Sequence, residues 1–144
     1  MQGFPHHYRV HGAAAPDGDV TLEADGLPAI ATQPPAEFGG PGDRWSPETL
    51  LTAAVADCFM LGFRAIAQAS KFEFVRLECE VEGVLDRVER VMKFTALTVN
   101  AKLTVPAGAD ASRAEKLLEK AEASCLITNS LSAEVTLRTE VVKG

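Results

Sequence analysis

The sequence predicts an α+β fold, and three patterns carry the prediction. A nearly all-apolar helical segment follows Ser46, a strict apolar/polar alternation runs through 72–87, and an amphipathic helical segment follows Asp110. Strands, helix, strands, helix and a last strand in that order form an α+β arrangement rather than a repeating βαβ one. At 144 residues the chain suits one domain, 1–144, with one core or one core completed by a partner.

The N-terminal stretches "HYRVHG", "DVTLEADG" and "LPAIAT" read as short strands, the second ending in an Asp-Gly turn signal. Residues 33–47 hold four prolines and three glycines in fifteen positions, a density that suits a shaped loop and neither regular element. Ser46 and Pro47 then start a helix: the serine can accept a free N–H, and proline at the first helical position has no donor to orphan. Leu50, Leu51, Ala54, Val55, Cys58, Phe59, Phe63 and Ile66 recur at three- and four-residue spacing, and alanines extend the apolar surface almost all round.

In "FEFVRLECEVEGVLDR" Val75, Leu77, Cys79 and Val81 face one side and Arg76, Glu78, Glu80 and Glu82 the other, which predicts a half-exposed antiparallel strand. "RVMKFTALTVNAKLTVP" is its expected partner. "DASRAEKLLEKAEASC" opens with an Asp110 cap and points Leu117, Leu118 and Ala121 inward; "LITNS" reads as a break and "AEVTLRTEVV" as the last strand.

Net charge is −6, with 14 basic residues scattered among 20 acidic ones, which argues against a nucleic-acid footprint. The N-terminus lacks the layout of a signal peptide, and the one long apolar run is interrupted by Asp57, Arg64 and Gln68, so a soluble cytoplasmic protein with no membrane partner is expected. Three cysteines at 58, 79 and 125 form neither a secreted disulfide framework nor a zinc-ligand spacing. His6, His7 and His11 cluster near the terminus without further ligands nearby, and an exposed strand end is expected there in place of a metal site.

Cys79 takes an inward place in the alternation and reads as core, where cysteine behaves as a small apolar residue. Cys58, mid-helix, suits packing or chemistry, and Cys125 follows a helix end among polar neighbours. One cysteine mid-helix and one at a helix boundary suit a peroxidatic and a resolving thiol, the second condensing with the sulfenic acid of the first before over-oxidation. A thiol in apolar surroundings stays protonated unless a cation offsets its lost solvation. Cys58 lies some three turns into its helix, beyond the N-terminal dipole, so an arginine is expected to activate it. Asp57 points about 100° away around the helix and reads as an exposed carboxylate.

"SPETLLTAAVADCF", residues 46–59, resembles the "NPEELLxAAxAACF" segments of the OsmC/Ohr family of thiol-dependent peroxidases. "PPAEFGGPG" at 34–42 is similar to the loop of its organic-hydroperoxide-resistance branch, and "CLITNSL" at 125–131 matches a second family signature. The resemblance runs from about Pro34 to the end of the chain. It implies an OsmC-like fold, antiparallel sheets around a long central apolar helix plus a second amphipathic helix, in an intertwined homodimer with sites at the interface. It implies a peroxidatic Cys58, a resolving Cys125 and a glutamate, Glu48, that orients the thiol through an arginine. The family arginine is missing: "APDGDV" at 15–20 stands where one branch has "GRxGRV", and Phe38 stands near its place in the other. Arg44 and Arg9 are the substitutes at hand, with Arg44 favoured because it lies four residues before Glu48. The implied activity is reduction of organic hydroperoxides with no metal or organic cofactor, using a dithiol reductant for which a lipoylated protein is the leading candidate.

Geometry adds one point independent of family. Glu48 and Cys58 are ten residues apart, about 15 Å along one helix, so the two side chains cannot meet within one straight helix and a glutamate acting on this thiol must come from elsewhere. Antiparallel pairing of two central helices about a two-fold axis would bring them together and cover apolar surface. The flank of Phe38, Trp45, Phe59, Met60 and Phe63 suits an organic hydroperoxide or a dimer core. Two rival expectations stand beside the peroxidase: a non-enzymatic module of the same fold binding a hydrophobic small molecule, and a redox sensor whose Cys58 turns over slowly.

Overall fold

The computed structural model describes residues Met1–Gly144. Its contacts divide the chain into two compact units, Met1–Leu51 and Thr52–Gly144, with the division falling inside the long helix.

The first unit holds an antiparallel sheet of β1 (His11–Ala13), β2 (Val20–Glu23) and β3 (Ile30–Thr32), in that order. The strand expected from His7 begins only at His11, because β2 offers partners for His11, Gly12 and Ala13 alone. The loop after β3 is tied back by a Gln33 N–H to Trp45 carbonyl bond of 3.0 Å and by a single 3₁₀ turn, Ala36–Phe38. Its glycines are structural: Gly39 has φ +84°, and a Cβ on Gly40 would lie 1.7 Å from the Pro34 carbonyl oxygen.

Helix α1 (Pro47–Ala69) starts where the serine–proline pair predicts. The buried Ser46 Oγ accepts the Thr49 N–H at 3.1 Å, while Thr49 Oγ1 accepts the Ser46 N–H at 2.9 Å. This is a reciprocal cap, with threonine in the place usually held by Glu or Gln.

In the second unit β4 (Arg76–Val88) and β5 (Val91–Val105) form a long antiparallel hairpin, with a register shift at Val84/Leu85. α2 (Ala111–Ala123) is capped by Asp110, whose carboxylate accepts from the N–H groups of Ser112 and Arg113. α3 (Leu126–Asn129) and β6 (Glu134–Lys143) follow. Two expectations are corrected here. "LITNS" is not a break but a one-turn helix, too short for any periodicity to show in sequence. The sheet is not wholly antiparallel: β6 pairs with β5 in parallel, which the crossover through α2 and α3 permits.

The core of this unit joins Val55, Phe59, Phe63 and Ala67 of α1 to Leu97, Val99, Ala101, Leu103 and Val105 of β5 and to Ala114, Leu117, Leu118 and Ala121 of α2. The i, i+4 spacing on α1 supplies one buried stripe. α1 is long and apolar enough to cross a bilayer, and in the chain it buries one i, i+4 stripe, Val55, Phe59, Phe63 and Ala67, against this core. Leu77, Cys79 and Val81 of β4 pack against the core as the alternation predicts, whereas Val75 precedes the strand and is exposed. Other apolar surface stays open, with Leu61 on α1 half exposed and Val84, Leu85, Val88, Val91 and Met92 exposed at the hairpin end.

Candidate active site

Two of the predicted site residues meet. α1 presents Cys58, half-buried, and the turn between α2 and α3 presents Cys125, 3% exposed, as the residue that caps α3. Both are free thiols, and their sulfurs are in hydrogen-bond contact. That turn is pinned by its own polar groups. The Cys125 N–H donates to the Glu122 carbonyl at 3.1 Å, and the buried Thr128 hydroxyl bridges the Cys125 carbonyl at 3.2 Å and Glu122 Oε1 at 3.3 Å. Asn129 Nδ2 adds a bond to the Ala123 carbonyl at 3.3 Å. The polar run "TNS" therefore holds Cys125 in place.

Burial pushes the Cys58 thiol above its ordinary range, and the neighbouring Cys125 sulfur adds to this through a hydrogen bond and through charge. The backbone N–H groups of Ile127 and Leu126 oppose the rise by donating to the sulfur. These amides are the site groups that sequence reasoning missed. They belong to the segment expected to be a break, and an amide leaves no signature in residue type.

The other two predicted residues lie in the first unit. Glu48, in the first turn of α1, is half-buried with its Oε1 shielded from solvent. It lines a cleft of about 780 Å³ together with Val20, Leu22, Pro34, Pro35, Phe38 and Leu50. Arg44 is exposed and pairs with Asp19 at 3.3 Å and Asp43 at 3.5 Å. Gln33 Nε2 also donates to Asp19, at 2.9 Å, and this bond, joined by Arg44, holds the Asp19 carboxyl below its usual range against the opposing effect of desolvation. Arg9, the alternative cation, is exposed in the segment before β1.

Asp57 is exposed, as expected. Cys79 faces the core edge, and burial pushes its thiol up to about 11. Of the aromatic flank, Phe59 and Phe63 are fully buried in the protomer core, while Phe38 and Trp45 are half exposed. His6 stacks on Phe4 and meets Tyr8 edge-on.

The family model described as OsmC-like protein matches residues 40–140, well over half of the chain. The chain belongs to the OsmC-like family. Among its relatives, the peroxiredoxin OsmC of Escherichia coli is 30% identical over 92 residues, covering 64% of each chain. An organic hydroperoxide resistance protein OsmC from Legionella pneumophila is 25% identical, with a TM-score of 0.76 over 97% of this OsmC-like chain and 99% of its own. An OsmC-like protein of unknown function from Vibrio cholerae shares the fold more closely, at TM-score 0.85 and 18% identity, over 96% of this chain and 100% of its own.

Proposed function

We propose that this OsmC-like protein is a thiol-dependent peroxidase that reduces organic hydroperoxides through Cys58 and Cys125. One observation carries the reading: two free cysteines 67 positions apart in sequence lie side by side, the Cys125 side chain within hydrogen-bond reach of the Cys58 sulfur. The names of its relatives, a peroxiredoxin and an organic hydroperoxide resistance protein, support the same chemistry.

In the proposed cycle the Cys58 thiolate attacks the terminal oxygen of ROOH. An S–O bond forms, the O–O bond breaks, and the alkoxide takes a proton and leaves as the alcohol. The Cys125 thiol then attacks the sulfenic sulfur, forming the disulfide as water departs. A dithiol, with a lipoylated protein as leading candidate, restores both thiols by two exchange steps. The Leu126 and Ile127 amides stabilise the thiolate, and the nearby Cys125 shortens the life of the sulfenic acid. A cytoplasmic location, where thiols are kept reduced, belongs to the same proposal.

Glu48 and Arg44 act, in this proposal, on the thiol of a second copy in a homodimer. The roughly 15 Å between positions 48 and 58 on one helix argues for it, as do the exposed Leu61 and the apolar hairpin end. Arg44 would exchange its exposed aspartate contacts for the site, a small loss, since solvent screens ion pairs at the surface. A second reading, a sensor that is oxidised once and turns over slowly, draws support from the upward displacement of the Cys58 thiol. Consumption of cumene hydroperoxide with excess dihydrolipoamide separates them: many equivalents per chain mark the peroxidase and one marks the sensor. If Cys58→Ser consumed peroxide as fast as the parent chain, both readings would fail.

A further inference from the structure

The chain between α2 and α3 is only Ser124 and Cys125, so the position of the second thiol depends on how those two helix ends are joined. The Cys125 N–H donates back to the Glu122 carbonyl of α2 at 3.1 Å, and the Cys125 carbonyl accepts the Asn129 N–H of α3 at 3.0 Å. Each of these bonds ties Cys125 to one helix. A single side chain ties it to both. The Thr128 hydroxyl, 7% exposed, shares its hydrogen between the Cys125 carbonyl at 3.2 Å and Glu122 Oε1 at 3.3 Å, closing α3 onto the last turn of α2 across Cys125. The Ser130 hydroxyl makes a shorter bond, 2.8 Å to the Leu126 carbonyl, that reaches neither α2 nor Cys125.

We infer that Thr128 and Glu122 are positioning residues for disulfide formation, holding the Cys125 thiol where it reaches the Cys58 sulfur before a second peroxide does. Its consequence in turnover rests on the peroxidase reading; the positioning itself does not. The Cys58 sulfenic acid has two fates. Attack by the Cys125 thiol forms the S–S bond and releases water, whereas reaction with a second ROOH adds one oxygen to the sulfur, giving the sulfinic acid and ROH. The first step is intramolecular, and its rate follows the share of time that the two sulfurs spend within reach; the second grows with peroxide concentration. A turn closed by the buried hydroxyl fixes the backbone of Cys125 and leaves the sulfur its own χ1 rotation to complete the bond. These ties end on the Cys125 backbone, so none has to break when its sulfur is used.

The test compares the full-length parent with Thr128→Val, Thr128→Ser, Glu122→Ala and Ser130→Ala in two assays at pH 7.5. Thr128→Val keeps the branched shape, and the Cys125 carbonyl keeps the Asn129 N–H, so no backbone group is orphaned. Should it still fail to fold, Glu122→Ala, at a half-buried carboxylate, carries the same prediction. The first assay needs no peroxide: equilibration in glutathione buffers, read by peptide mass, gives the effective concentration of Cys125 at Cys58. That quantity should fall about fivefold in Thr128→Val and Glu122→Ala, the worth of one hydrogen bond, and stay within twofold of the parent in Thr128→Ser and Ser130→Ala. In the second assay, a pulse of cumene hydroperoxide without reductant, the concentration that drives half of Cys58 to sulfinic acid should fall by the same factor in the same two variants. A bond that merely stabilises the fold would lower the urea midpoint of Thr128→Val and move neither quantity. Either quantity unchanged in both variants, a Ser130→Ala effect as large as theirs, or no Cys58–Cys125 disulfide in the parent with glutathione would overturn the inference. If the order with glutathione holds and cumene hydroperoxide leaves Cys58 unoxidised in every protein, the peroxidase reading fails while the positioning role stands.

Discussion

Ser46→Ala removes the serine half of the reciprocal cap that starts α1. The buried Ser46 Oγ accepts the Thr49 N–H at 3.1 Å and contacts Thr49 Oγ1 at 3.0 Å, so the substitution orphans a helix N–H and loosens the threonine that holds the Ser46 N–H. Loss of such a cap costs about 1–2 kcal/mol, and burial of Ser46 places this one at the upper end. At a urea m value of about 2 kcal/mol/M, the unfolding midpoint should fall by about 0.5–1 M with an unchanged slope. Thr49→Ala, nearer solvent, should cost less, and the double variant should cost less than the sum because both changes break one pair. Equilibrium urea unfolding at one fixed protein concentration measures all three. A Ser46→Ala midpoint within 0.1 M of the parent, or strict additivity in the double variant, would refute the argument that the two side chains act as a reciprocal cap.

Further outcomes follow from the core and the three cysteines. Phe63→Ala, at a fully buried residue packed edge-to-face on Phe74 at 5.2 Å, should destabilise by about 3–5 kcal/mol in the same assay. Cys125→Ala removes the neighbour that favours protonated Cys58, so the Cys58 thiolate should form at lower pH, as followed by absorbance at 240 nm, while disulfide formation is abolished. With Cys58 displaced upward, the rate of its oxidation by excess hydroperoxide should climb about tenfold per pH unit from pH 6 to 8, as the thiolate fraction does; a flat profile would contradict a protonated resting thiol. With its thiol pushed up to about 11, Cys79 should be about one part in a thousand thiolate at pH 8 and resist iodoacetamide. Because the folded chain holds that proton more tightly than the unfolded one, the Cys79 contribution to stability is present below pH 9 and lost as pH rises toward 11.

What the sequence made legible depended on side-chain signals with a short range. The Ser46–Pro47 start, the alternation from Leu77 to Val81 and the Asp110 cap each rest on a preference expressed within a few residues, and each is found. The parallel seating of β6 on β5 was not legible, because strand direction is set by the path of a crossover and not by the strand's own pattern. α3 was missed because four residues cannot display a helical period. At the site, cysteine placement pointed to Cys58 and Cys125, which lie side by side, but not to the amides that face the Cys58 sulfur. The chemistry expected of the thiol pointed to an arginine, whereas the groups found to oppose the upward displacement of Cys58 are two backbone amides. Arg44 itself is engaged by Asp19, a partner 25 residues away that no local pattern announces.

The proposed chemistry therefore rests on a sulfur pair set by one turn of chain, with the polar groups of Glu122, Thr128 and Asn129 keeping Cys125 beside Cys58. The most direct test is to add one equivalent of cumene hydroperoxide per chain without reductant and map the disulfides by peptide mass. The account predicts a Cys58–Cys125 linked peptide with Cys79 still free. Recovery of Cys58 as sulfinic acid beside an unmodified Cys125, or a bridge that includes Cys79, would contradict it.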